Sequence, residues 1–176
     1  LHSHVQNYAA TRPAVSSMGA TVVCGLFCHR ELHFGHVGDS RLYRFRRGRL
    51  DQLTQDHSII GRLYHEGKIN EMEARTNPRR NILSQAIGAR CQFVHPQVGS
   101  SNLENGDWFM ICSDGIVDGL WNKQIEEEFL MAEVTRASPS DVAENLLNRA
   151  YEAAGKDDTT LFVIKAGGSA QKEPVN

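Results

Sequence analysis

The residues with the clearest capacity for chemistry are aspartates placed where apolar segments begin or end. Asp39 and Asp114 each follow directly on a predicted strand, and Asp157 stands just before another. Asp118 comes four residues after Asp114, a spacing that places both side chains on one side of a helical turn. Carboxylates held at rigid strand ends lie at a rim that a ligand can reach. These four aspartates are therefore candidate ligands of one metal site.

A simpler interpretation of each aspartate is a turn, because Asp-Gly and Gly-Asp are common turn dipeptides. Several carboxylates gathered at one rim, however, repel each other and lose hydration, and a bound cation offsets both effects. Ligation by oxygen alone favours Mg²⁺ or Mn²⁺ over softer metals. The eight histidines are scattered along the chain, and Cys24 and Cys28 have a spacing unlike that of a zinc finger.

Short apolar or alternating segments indicate the strands that would position these aspartates. Residues 19–28 predict a buried strand, residues 31–38 a second, and the next segment a hairpin that bends near Arg47-Gly48. We also predict strands at residues 79–88, 93–98, 107–112 and 159–166.

Three segments predict helices. Residues 56–76 show helical spacing, with Gly67 as a stop and Asn70 as a second start, and residues 121–132 are also helical. The clearest helix has Ser138 as N-cap with Asp141 completing a capping box, and ends at a Gly155 C-cap. Its predicted apolar stripe consists of Val142, Ala143, Leu146, Leu147, Ala150 and Tyr151.

The bulk composition narrows the class of protein. The chain has 176 residues, 40% of them hydrophobic, which fits one domain with a real core. A net charge of −2 gives no electrostatic reason to expect nucleic acid or a membrane as a partner. The N-terminus has no signal-peptide pattern, and the four cysteines are interpreted as buried reduced thiols. Both features predict a cytoplasmic protein.

Four motifs in order carry a family resemblance. They are Gly38-Asp39-Ser40-Arg41, residues 53–58 (LTQDHS), residues 113–118 (SDGIVD) and Asp157-Asp158-Thr159-Thr160. The chain resembles the bacterial PPM-type metal-dependent serine/threonine phosphatases, also called the protein phosphatase 2C family, over about residues 15–166. The resemblance implies an α+β fold in which two antiparallel β-sheets pack as a sandwich flanked by helices, here N-terminally incomplete.

The resemblance also implies roles for individual residues. Asp114 and Asp157 would hold two central Mg²⁺ or Mn²⁺ ions, and Asp39 and Asp118 a third ion. Residues 61–88 match a flap beside the active site, whose Arg79 and Arg80 are candidate substrate contacts, although solvated arginines are the commoner case. Residues 1–166 would form the phosphatase domain and residues 167–176 a mobile polar tail.

The implied activity is hydrolysis of phosphoserine and phosphothreonine in signalling proteins phosphorylated by a serine/threonine kinase. The attacking group would be a metal-activated water, with no side-chain nucleophile. The chain departs from the pattern of the family in two places. Asp158 stands where members of the family often have Asn, and no D-G-x-G-G motif precedes Asp39. We therefore expect an N-terminally truncated domain with weak metal binding and little activity. The alternatives are an inactive module that binds or regulates a partner, and an unrelated β-rich binding domain.

Overall fold

The computed structural model describes residues 1–88, 91–154 and 158–167. Helices are α1 (His2–Ala10), α2 (Ile59–His65), α3 (Glu71–Thr76), α4 (Asp114–Gly119), α5 (Asn122–Thr135) and α6 (Pro139–Ala153), with a 3₁₀ turn at Pro13–Val15. The strands are β1 (Gly19–Ala20), β2 (Val22–Cys28), β3 (Glu31–Val37), β4 (Arg41–Arg46), β5 (Arg49–Gln52), β6 (Ile87–Gly88), β7 (Gln97–Asn102), β8 (Trp108–Cys112) and β9 (Leu161–Lys165).

All strand pairs are antiparallel. One sheet has four strands in the order β5-β4-β8-β9, a second has three in the order β2-β3-β7, and β1 pairs with β6. The β4–β5 hairpin turns at Arg47 and Gly48, where φ is +53° and +79°. Both values belong to the turn type that matches strand twist, so the predicted bend is confirmed.

The two larger sheets pack face to face. Leu32 of β3, Leu42 of β4 and Phe109 of β8 are each 0% exposed and form one core cluster. Phe27 of β2 meets Phe109 edge-on, with ring centroids 5.3 Å apart. The predicted sandwich of antiparallel sheets is thereby confirmed, because the inward side chains of both sheets fill one space.

Helices cover the opposite face of the four-stranded sheet. Phe129 of α5 stacks on Phe45 at 5.4 Å between ring centroids, and its ring also lies 5.8 Å from that of Trp108.

In α6 the capping box of Ser138 and Asp141 is present as predicted. The predicted apolar stripe is only half correct. Val142, Leu146 and Ala150 are buried, whereas Leu147 and Tyr151 are exposed. Each of the two exposed residues follows a buried one by a single position, so its side chain projects from a different side of the helix. Gly155 lies outside the described residues.

The prediction that residues 19–28 form one buried strand is wrong. The segment divides into β1 and β2, and β2 is the outer strand of its sheet. Val23 and Phe27 pack on the inter-sheet core, whereas Leu26 is 64% exposed. Cys24 and Cys28 are exposed residues, so the prediction that they are buried is wrong. An edge strand with apolar residues on both faces has the same sequence pattern as a buried one, which explains the error. Cys112 is buried as predicted.

The predicted strands at residues 79–88 and 93–98 are also largely wrong. Within the first, only Ile87–Gly88 is a strand and Leu83 makes a single bridge to Ser58. Local turns take up the backbone instead, with Ile82 N–H donating to Arg79 O at 3.1 Å. The second strand runs from Gln97 to Asn102, later than predicted. Among the described residues, no helix has both the length and the apolar character that crossing a membrane requires.

Candidate functional site

A cleft beside the four-stranded sheet brings together three of the four aspartates predicted as metal ligands. Asp39, in the turn between β3 and β4, lines this cleft together with Asp114 and Asp118 of α4. α4 places Asp114 and Asp118 in one short helix, as their spacing predicts. Asp157, the fourth predicted ligand, lies outside the described residues, as do residues 168–176 of the predicted tail.

The turn that presents Asp39 is fixed by its neighbours. Gly38 has φ of +115°, and a Cβ there would lie 2.4 Å from the Thr21 side chain, so only glycine fits. Its carbonyl accepts the His57 backbone N–H at 2.7 Å, and its own N–H donates to His57 Nδ1 at 3.3 Å. The motifs around Asp39 and His57 therefore form one structural unit.

The segment that presents Asp114 is fixed in a similar way. Ser113 and Thr160 exchange hydrogen bonds, with Ser113 N–H donating to Thr160 O and Thr160 N–H donating to Ser113 Oγ, each at 3.0 Å. A Cβ on Gly115 would lie 2.5 Å from Thr159 Oγ1, which explains the glycine after Asp114. The last two sequence motifs thus meet at the N-terminal end of α4.

Electrostatics indicates that this cleft suits a cation. Burial, and then the negative charges of Asp114 and Asp56, raise the pKa of Asp39 to about 6. Crowded carboxylate oxygens match Mg²⁺ or Mn²⁺ in kind. The described residues provide too few ligands for a complete site. Across the described ranges, no group of three or more His, Cys, Asp and Glu side chains is arranged to hold a metal ion. The described residues therefore supply part of a ligand set.

A buried ion pair forms one wall of the cleft. Arg41 donates to both carboxylate oxygens of Asp56, through Nε at 2.9 and 3.2 Å and through Nη2 at 2.7 Å. The Arg41 and Asp56 side chains are only 19% and 11% exposed. Arg41 Nη1 also donates to Tyr43 Oη at 2.9 Å. This geometry locks β4 to the segment that leads into α2.

Asn122, the first residue of α5, links the sheet to the helices over the cleft. Its Oδ1 accepts from Tyr43 Oη at 3.2 Å, and its Nδ2 donates to Tyr64 Oη of α2 at 3.1 Å. The backbone N–H of Asn122 donates to Glu71 Oε1 of α3 at 2.9 Å. Segment 61–88 is therefore tied to the sandwich by specific polar contacts.

The two predicted substrate arginines of segment 61–88 occupy different environments. Arg80 lines the cleft and pairs with Asp118 at 3.1 Å between Nη2 and Oδ2. Arg79 is exposed and does not line the cleft. Sequence reasoning did not assign site roles to Arg41, Asp56, Asn122 or Arg75, which all line the cleft. Arg41 and Asp56 lie inside the motifs that carry the family resemblance, and this position could have identified them as site residues.

A buried histidine beneath the Asp39 turn makes stability depend on pH. His36 is 1% exposed, and burial, then the neighbouring His57, lower its pKa to about 4. The unfolded chain binds this proton near pH 6.5, so stability is complete above that pH and declines as the pH falls towards 4. We expect the low pKa of His36 to reduce the free energy of unfolding by about 2 kcal/mol as the pH falls from 7 to 4.5. Urea unfolding at both pH values measures this loss.

The control for this prediction is another histidine. His36→Gln should reduce the difference in unfolding free energy between pH 7 and 4.5, whereas His65→Gln, at an exposed position of α2, should leave it unchanged. An unaltered pH dependence in His36→Gln would contradict the assignment.

Comparison with known proteins places this chain in a family. The family model described as protein phosphatase 2C matches residues 1–150. The serine/threonine protein phosphatase PstP of Mycobacterium tuberculosis is 32% identical over 151 residues, which is 86% of this chain and 28% of PstP. Protein phosphatase PhpP of Streptococcus pneumoniae is 31% identical over 152 residues, which is 86% of this chain and 59% of PhpP.

Solved structures agree with the sequence comparisons. Serine/threonine phosphatase Stp1 of Staphylococcus aureus superposes with a TM-score of 0.85 at 28% identity, over 95% of this chain and 64% of Stp1. The catalytic domain of PstP in complex with two manganese ions superposes with a TM-score of 0.77 at 28% identity, over 92% of this chain and 65% of that domain.

The chain belongs to the protein phosphatase 2C family, as the match over residues 1–150 establishes. Its relatives are bacterial serine/threonine protein phosphatases. The chain spans 28% of PstP and about three fifths of PhpP and of the Listeria monocytogenes phosphatase stp.

Proposed function

We propose that this chain carries part of the active site of a phosphatase that hydrolyses phosphoserine and phosphothreonine in proteins. The observation that carries the proposal is the cleft in which Asp39, Asp114 and Asp118 converge. Family membership, and the phosphatase activity for which PstP and PhpP are named, support the same reaction. The substrates would be proteins phosphorylated by a serine/threonine kinase. The free cysteines support a reducing compartment such as the cytoplasm.

The metal ligands in this proposal are Asp114 and Asp157 for the central ions, with Asp39 and Asp118 for a further ion. Bound Mg²⁺ or Mn²⁺ supplies an activated water and neutralises charge on the phosphoryl oxygens. The repulsion that raises the pKa of Asp39 supports the assignment, because a cation relieves it. In this proposal Arg80 would bind a phosphoryl oxygen, and its pairing with Asp118 and the match between guanidinium groups and phosphate geometry support that role.

Segment 61–88 is proposed as the flap of this domain, which would extend over residues 1–166. Support comes from its position: α2, α3 and Arg80 line the same cleft as the three aspartates. A substrate that enters this cleft would meet the segment, so segment 61–88 is also where substrate selectivity would arise.

The test of the proposal is metal-dependent catalysis by the 176-residue chain and its Asp114→Asn variant. We expect weak Mn²⁺ binding, measured by calorimetry and thermal stabilisation, and slow hydrolysis of a phosphothreonine peptide that requires Mn²⁺. Asp114→Asn should abolish both, because it removes a ligand charge at the cleft. A matched Glu133→Gln variant, with its change on the exposed face of α5, should behave as the parent.

The outcomes separate the remaining hypotheses. Mn²⁺ binding without hydrolysis would favour a binding or regulatory module over an enzyme. Absence of any Mn²⁺ effect in the parent chain would overturn the metal assignment. Hydrolysis that survives in Asp114→Asn would show that the reaction does not depend on this cleft.

A further inference from the structure

Two side chains of the short helix α3 meet the junction between α4 and α5. Glu71 and Arg75 are four residues apart, so both project from the same face of α3. Opposite them, α4 ends at Gly119 and α5 begins at Asn122. One helix end with free carbonyl groups and one with free N–H groups therefore lie side by side against α3.

Arg75 binds the C-terminal end of α4. Its Nη1 donates to the carbonyl of Val117 and, at 2.6 Å, to that of Leu120, and its Nη2 donates to the carbonyl of Asp118 at 2.8 Å. The guanidinium also stacks over the Trp121 ring, with Cζ 4.2 Å from the centroid. A planar cation with several donors suits this position, because helix carbonyl groups carry partial negative charge.

Glu71 binds the N-terminal end of α5. Its Oε1 accepts the backbone N–H of Asn122, the first residue of α5, at 2.9 Å. A carboxylate is favoured at this end of a helix, where the N–H groups carry partial positive charge. Each charge on α3 thus faces the helix end of opposite sign, and exchanging the two charges would place each against the wrong end.

We propose that Glu71 and Arg75 act as positioning residues, which dock α3 on the α4–α5 junction and thereby fix the backbone that presents Asp114 and Asp118. The docking itself follows from the contacts above. Its consequence for metal binding rests on the proposed function. Arg75 holds the carbonyl of Asp118 itself, so loss of this contact acts directly on one of the two aspartates of α4.

The first arm of the test needs no metal. Hydrogen exchange in EDTA reports the opening of α4 through the Leu120 amide, which bonds to Ile116 O at 2.8 Å. We expect Arg75→Met to lower protection of this amide about tenfold, because several charge-assisted hydrogen bonds are lost. The matched control is Arg62→Met, the same change at an exposed position of segment 61–88. Unchanged protection in Arg75→Met, or an equal loss in Arg62→Met, would overturn the docking.

The second arm measures Mn²⁺ affinity of the same variants by calorimetry. We expect Arg75→Met to weaken Mn²⁺ binding about tenfold, and Arg75→Lys to recover only part of it, since one ammonium cannot reach three carbonyls and stack on Trp121. Glu71→Gln should give a smaller loss. If Arg75→Met loses α4 protection and binds Mn²⁺ like the parent, the positioning role is wrong. If the parent itself binds no Mn²⁺, the proposed metal site fails, and the exchange experiment still decides the docking.

Discussion

Arg41→Met is expected to destabilise the chain by about 3–5 kcal/mol, because it leaves a buried carboxylate without its partner. Asp56 is 11% exposed and receives three hydrogen bonds from Arg41. Gln52 Nε2, at 3.0 Å from Asp56 Oδ1, can compensate only partly. Arg41→Lys should recover little, since lysine cannot make a bidentate contact and also reach Tyr43. Urea unfolding at pH 7 measures the effect.

A surface arginine provides the control for this prediction. Arg49→Met removes a pair with Asp51 in which the arginine is 79% exposed, and should cost less than about 1 kcal/mol. The double variant Arg41→Met/Asp56→Asn should be more stable than Arg41→Met alone, because the unpaired charge is gone. If the double variant is the less stable of the two, the buried charge is not the cause of the loss.

Asp39→Asn is expected to stabilise the metal-free chain by about 1–2 kcal/mol at pH 7.5. The pKa of Asp39 is raised to about 6, so ionisation above that pH opposes folding in the absence of a cation. The sign is fixed by this direction: the carboxyl favours folding at low pH and loses that contribution as the pH rises from about 4 to 6. The gain in Asp39→Asn should therefore vanish near pH 4. Urea unfolding in EDTA at both pH values tests this.

The same variant should behave in the opposite way once Mn²⁺ is added. The parent gains stability from the bound ion, whereas Asp39→Asn, with one carboxylate fewer in the cleft, gains less. Glu133→Gln serves as the control, because its side chain lies on the exposed face of α5. If Asp39→Asn is less stable than the parent in EDTA at pH 7.5, then Asp39 stabilises the fold without a cation.

Local patterns were enough to predict much of the secondary structure. The β4–β5 hairpin, β8, the N-cap of α3 at Asn70 and the capping box of α6 follow from turn residues, apolar runs and N-cap residues, which act over a few positions. The exposure of β2 does not follow from such patterns, because it depends on which strand lies outermost in the finished sheet.

The sequence by itself determined the family resemblance and three residues of the candidate site. Asp39, Asp114 and Asp118 could be selected because each stands in a short motif at a strand or helix end. The tertiary structure alone decided what surrounds them. Arg41 reaches Asp56 across 15 positions, and Arg75 reaches Asp118 across 43. Such pairs form only when sheets and helices have packed. A local motif can single out Arg41 or Asp56, but no local pattern shows which residue each one contacts, so the surroundings of the aspartate cluster were visible only in the fold.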